Sequence, residues 1–226
     1  MRGNPLNHPE YREIFRELCV LSETYGTQAT DVFVPPVPHT WGQKERLKVI
    51  WYGSATNGWD TDNGSDVRAP KCVDFDMSQK SSAEFLKETP NKSRFWRVME
   101  GCAAKWEIDR ADVMWNNVHK LGGEKGEPSN ALKRAQLDFS KSAFDIEIQA
   151  LKPNLIVFHI GELANETVPH LLDENGWSHW NRDSEIAWFH PNITTPTIWV
   201  SRSRLGTDES YIHAAHNASS KARAQI

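Results

Sequence analysis

The sequence predicts an α/β fold: a single three-layer domain with a central, mainly parallel four-stranded sheet flanked by helices. Three observations predict it. Four short runs, residues 47–52, 112–117, 155–160 and 197–200, read as strands, and 47–52 has the near-continuous hydrophobicity of a strand buried on both faces. Helical segments, most of ten or more residues, separate these runs, which is the pattern of βαβ units. Each run also ends in a polar stretch, and this delivers polar side chains to the carboxyl edge of a sheet, where open α/β sheets bind ligands.

In chain order, residues 9–25 form the first helix. Pro9 suits its first turn, and Tyr11, Ile14, Phe15, Leu18 and Leu21 or Val20 fall at helical spacing before Gly26 ends it. Residues 27–44 are a loop that Pro35-Pro36-Val37-Pro38 keeps extended. The first strand, Leu-Lys-Val-Ile-Trp-Tyr at 47–52, stops at Gly53 and a polar loop follows to Asp60. Residues 61–70 are rich in Gly, Asp and Asn and read as a long loop or hairpin end. At 72–77, Val73, Phe75 and Met77 alternate with Asp74 and Asp76, which reads as a short strand.

Two helices follow, at 81–87 with a capping box of Ser81 and Glu84, and at 93–106 with Phe95, Trp96, Val98, Met99 and Cys102 facing the core. After the second strand, the glycine-rich stretch 121–128 lacks the Gly-Lys-Ser/Thr ending of a phosphate-binding loop and reads as a flexible connection. Residues 130–151 form the longest helix, closed by Pro153, and 162–172 another. Residues 177–192 are aromatic and irregular, with a short strand at 186–189. The closing helix, 208–224, sets Tyr211, Ile212 and Ala215 on one face.

The 226 residues suffice for one well-buried domain, 1–226, with 1–46 as an N-terminal helix and extended loop packing on the core. Ten Trp are many for this length, so several are expected to do more than fill the core. No run approaches the ~20 apolar residues of a membrane span, and 1–10 has no signal-peptide core, so a cytoplasmic protein is expected. Cys19, Cys72 and Cys102 are odd in number and far apart. They predict buried small hydrophobes rather than a disulfide framework or a four-thiolate cluster. No spacing of His, Cys and Glu suggests a metal site, and no cofactor is expected. The net charge of −4 argues against tight non-specific nucleic-acid binding. From Val200 onward, however, Arg202, Arg204, Lys221 and Arg223 outnumber Asp208 and Glu209.

At the strand ends the chain resembles the uracil-DNA glycosylase superfamily over residues 48–216. The segment Val-Met-Trp-Asn-Asn-Val-His-Lys at 113–120 is similar to the family's strand ending in Asn-x-x-Lys. The stretch from Asp145 through Lys152-Pro153 to Gly161 is similar to its long helix, Lys-Pro turn and apolar strand ending in Gly. Gly53 fits the opening of the first family motif, but Ala55 stands where a water-activating Asp or Asn is expected and Thr56 where Pro is. In the last motif Ser203 and Leu205 fit, and Ser201 replaces the His. His190-Pro191-Asn192 precedes the final strand and so belongs to the opposite edge.

The resemblance implies a metal-free glycosylase acting as a monomer on single- or double-stranded DNA, with no membrane partner. Cleaving an N-glycosidic bond makes the sugar cationic and the departing base anionic. The site therefore needs an oriented water and hydrogen-bond donors. Asn57 or Asp60 is expected to place the water. Asn117, with a donor and an acceptor in one plane, would read the flipped base's edge. Phe75 or Trp59 would stack on it. Ser201, Arg202, Ser203 and Arg204 would hold DNA, and Leu205 would wedge into the duplex. Small Ser54 and Ala55, with Trp59 and residues 177–180, would leave room for a bulky base, which puts defence against phage beside ordinary uracil excision. A catalytically inactive DNA-binding module of the same fold is the alternative that the losses at Ala55 and Ser201 leave open.

Overall fold

The structure, a computed structural model, describes residues 4–41, 47–55, 74–88, 93–123, 127–161, 167–174, 179–191, 194–201 and 206–225. It is α/β, with one mixed six-stranded sheet flanked by helices. The chain divides into two compact units. One comprises Met1–Pro36, Ser54–Thr89 and Asn117–Leu151, the other Val37–Gly53, Pro90–Asn116 and Lys152–Ile226.

The second unit holds the sheet. Its strands are β1 (Val49–Gly53), β2 (Val113–Asn117), β3 (Leu155–Ile160), β4 (Asn181–Arg182), β5 (Ala187–His190) and β6 (Thr197–Ser201), in the order β2-β1-β3-β6-β5-β4. Only Asn117 at the end of β2 is counted with the first unit. The expected sheet of four mainly parallel strands is therefore corrected to six in mixed directions. β1, β3 and β6 run parallel, with Val49 opposite Leu155 and Ile156 opposite Thr197, while β5 is antiparallel to both β6 and β4. β5 answers to the short strand expected at 186–189, while its hairpin partner β4 was hidden because it is two exposed residues long. The hairpin turn is made by Ser184, whose Oγ accepts the N–H groups of Ile186 and Ala187. Gly53, Ile160 and Ser201 end their strands at one edge of the sheet. His190, opposite Thr197, lies at the other, as expected. There its Nε2 bonds Glu174 and its ring meets Trp180 edge to face.

Every residue of β1, β2, β3 and β6 is buried, which explains the apolar stretch that each carries. Two helices pack together in this unit. α3 (Arg94–Lys105) buries Phe95, Trp96, Val98, Met99 and Cys102, the face expected, and Gly101 leaves room for Ile212 of α7 (Asp208–Arg223). The Thr207 side chain caps α7 by accepting the Ser210 N–H. Trp51, Trp96, Trp106, Trp115, Trp180 and Trp199 are buried, so most of the described tryptophans are core residues after all. Phe95 stacks on buried His159 at 5.3 Å, and Trp106 Nε1 donates to Ser219 Oγ.

The first unit is helical. α1 (Pro9–Tyr25) has the bounds expected, ends at Gly26 with φ +55°, and buries Tyr11, Phe15 and Leu18. Cys19 on α1 is disulfide-bonded, which corrects the expectation of three thiols: an odd count does not forbid one bridge. Cys102 is free and buried, and burial pushes its pKa up. The strand expected at 72–77 is also corrected. Phe75 opens α2 (Phe75–Glu88), with Asp74 as the cap whose carboxylate accepts the Asp76 N–H, so Ser81 lies inside this helix rather than at its start. The helix expected over 130–151 is two, α4 (Asn130–Ala135) and α5 (Leu137–Leu151). The remaining helix, α6 (Thr167–Leu171), belongs to the second unit and covers part of the 162–172 expected.

Candidate functional site

The site is built where the chain leaves β1 and β2. The His119 N–H donates to the Ser54 carbonyl at 2.9 Å, so the residues just past the two strands lie side by side. Ser54, Asn117, His119 and Lys120 are all buried, although each is polar. Such a cluster persists only where hydrogen bonds and charge pairs replace water.

The replacements come from three helices and a loop. Lys120 Nζ donates to Glu147 Oε1 of α5 at 2.6 Å, and Tyr11 Oη of α1 donates to the same oxygen at 2.5 Å. Burial, reinforced by the Glu147 charge, raises the Tyr11 pKa well above its ordinary value. Burial lowers that of Lys120, against the pull of Glu147. The backbone next to this triad is fixed as well. Phe33 and Thr30 donate their N–H groups to the Lys120 and Gly122 carbonyls, and the Gly122 N–H donates to Thr30 Oγ1.

Gln136, at the break between α4 and α5, accepts the Leu121 N–H at 2.8 Å and donates to the Leu121 carbonyl at 3.0 Å. Both groups are buried, so Gln136→Ala is expected to cost about 1–3 kcal/mol by leaving them unsatisfied. Urea unfolding of the variant checks this.

A second charged group lies on the same side. Ser54 Oγ donates to Glu127 Oε2 at 2.7 Å, and Lys133 Nζ of α4 is 3.5 Å from that oxygen. Burial, with the Lys133 charge second, pushes the His119 pKa down from 6.5 to about 3, so its imidazole is neutral near neutral pH. The cluster thus holds a buried planar amide and a buried neutral imidazole, with a partly exposed carboxylate bonded to Ser54.

Of the residues expected from sequence, Ser54 and the Asn117 segment are brought together. Phe75 is placed in the core of the first unit, edge to face with Tyr11 and Phe15, with the Arg12 guanidinium 4.6 Å above its ring. Ser201 ends β6, buried, its N–H donating to the Ile186 carbonyl. Asn57, Trp59, Asp60, Arg202, Ser203, Arg204 and Leu205 lie outside the described residues. Sequence reading missed Glu147, Tyr11, His119, Glu127 and Lys133. Glu147 carried a signal: with Phe144 three residues before and Leu151 four after, an acid occupies the apolar face of a helix.

Among the described residues no group of three or more His, Cys, Asp or Glu could hold a metal, and no helix is long and apolar enough to cross a membrane. No protein-family model and no curated protein matches the chain.

Proposed function

We propose that the chain is a DNA glycosylase that flips a base and hydrolyses its N-glycosidic bond. The observation that supports this most is the fixed Asn117-to-Lys120 segment, tied to Ser54 by His119 and anchored on Glu147 by Lys120. A base-reading amide must be pre-oriented to discriminate, and this frame fixes the backbone that carries Asn117. Asn117 reads the base edge and donates to the departing anion, Asn57 or Asp60 places the water, and Trp59 stacks on the base, since Phe75 is packed in the core. Arg202, Ser203 and Arg204 contact the backbone, and Leu205 fills the gap in the duplex; Ser201 is buried at the end of β6 and takes no part. The small side chains of Ser54 and Ala55 favour a bulky modified base, as in phage DNA, over uracil.

The test is a panel of DNAs carrying uracil, thymine mismatches, hydroxymethylcytosine or glucosylated hydroxymethylcytosine, scored for abasic sites. Asn117→Ala is expected to slow excision about 100-fold or more, the usual cost of one donor to a developing anion. The absence of an acid at Ala55 and of His at Ser201 favours a second reading, an inactive DNA-binding module. Binding without base release from any of the four DNAs would select it.

A further inference from the structure

Glycosidic hydrolysis by water needs a group to take the water's proton, and the first residues past β1 offer no acid: Ser54 and Ala55 follow Gly53. The acid that meets this point comes from elsewhere in the chain. Glu127 Oε2 accepts Ser54 Oγ–H at 2.7 Å and faces Lys133 Nζ at 3.5 Å. Among the described residues the other oxygen, Oε1, has no hydrogen-bond or ion-pair partner, and the Glu127 side chain is 41% exposed. One oxygen is therefore anchored by a hydroxyl and a cation, on a side chain that remains partly exposed. That is the arrangement a general base requires, oriented yet accessible. Two further features hold it in place. Pro128 is buried directly after it, and Ser129 caps α4, whose Lys133 supplies the cation.

We propose that Glu127 is the general base of the glycosylase, an inference that rests on the function proposed above. Its Oε1 accepts a proton from the attacking water while the water oxygen forms the new bond to the sugar C1′. The C1′–N bond breaks and its electron pair leaves with the base, which then takes up a proton from solvent. Ser54 and Lys133 are positioning residues that keep the carboxylate aimed. A plain structural reading of Glu127 is an acid placed before a helix N-terminus, where it would stabilise α4. That reading predicts an effect on stability and none on rate.

The experiment compares wild type with Glu127→Gln, Glu127→Asp, Asn57→Ala and Asp60→Ala on the DNA whose base the wild type releases. Single-turnover excision, DNA affinity and thermal unfolding are measured for each. Gln keeps an acceptor for Ser54 and cannot take the proton. The expected result for Glu127→Gln is a rate about 10²–10⁴-fold lower, with affinity and unfolding midpoint unchanged and partial recovery in Glu127→Asp. A Glu127→Gln rate within about twofold of wild type, or a loss explained by affinity or unfolding, overturns the role of Glu127 and leaves the glycosylase assignment standing. Loss of rate in Asp60→Ala or Asn57→Ala with full rate in Glu127→Gln overturns it in the same way. Release of no base from any DNA by the wild type overturns both.

Discussion

Glu147→Ala is expected to destabilise the protein by about 3–5 kcal/mol, because it takes the carboxylate away from a lysine that has no access to bulk water. Lys120 is 2% exposed and Glu147 0%, and Tyr11 donates to the carboxylate oxygen that Lys120 contacts. Burial alone disfavours the charged ammonium, as the lowered Lys120 pKa records, and Glu147 is the group that opposes it. Urea unfolding followed by far-ultraviolet dichroism measures the loss. The companion variant replaces Tyr11 by Phe, Lys120 by Met and Glu147 by Leu together. It removes charge and hydroxyl at once and is expected to cost far less than the single change. A single change costing under about 1 kcal/mol would contradict the assignment of the pair as a buried, mutually dependent unit.

Acid is expected to destabilise the protein through His119. Its folded pKa is about 3 against 6.5 unfolded, so between those values the unfolded chain binds more protons than the folded one. Stability therefore rises with pH across that window. The contribution is complete above pH 6.5, declines as pH falls, and is gone by about pH 3. Its full size by linkage is up to about 5 kcal/mol. Denaturant unfolding at a series of pH values from 7.5 to 3 follows it. His119→Leu should flatten that part of the profile. Lys133→Met removes the lesser cause of the depression, so it should shrink the loss without abolishing it. A wild-type profile that matches His119→Leu between pH 6.5 and pH 3 would contradict the prediction.

The strands were legible because strands buried on both faces leave a simple imprint: β3 has the bounds expected, and β2 and β6 differ by one residue at one end. α1 and α3 were legible from periodicity and from the residues that start and stop them. What sequence hid was fixed by long-range contacts. No glycine or proline marks the break between α4 and α5. Gln136 makes it by bonding both polar groups of Leu121, fifteen residues earlier. Asp74 looked like the polar half of a strand alternation and is instead a helix cap. In the site, Asn117 and Lys120 were legible as a motif. Glu147 and Tyr11 were not, because only the fold brings Glu147, 27 positions from Lys120, to that ammonium and Tyr11 to the same carboxylate. The Tyr11 partner lies 136 positions away.

The central claim is that this polar frame serves N-glycosidic hydrolysis. Its most direct test is mass spectrometry of the products formed from DNA bearing glucosylated hydroxymethylcytosine. The predicted result is an intact free base of the modified mass together with an abasic strand, both formed about 100-fold or more slowly with Asn117→Ala. DNA that is bound by the wild-type protein yet recovered with every base attached, across this substrate and uracil alike, would contradict it.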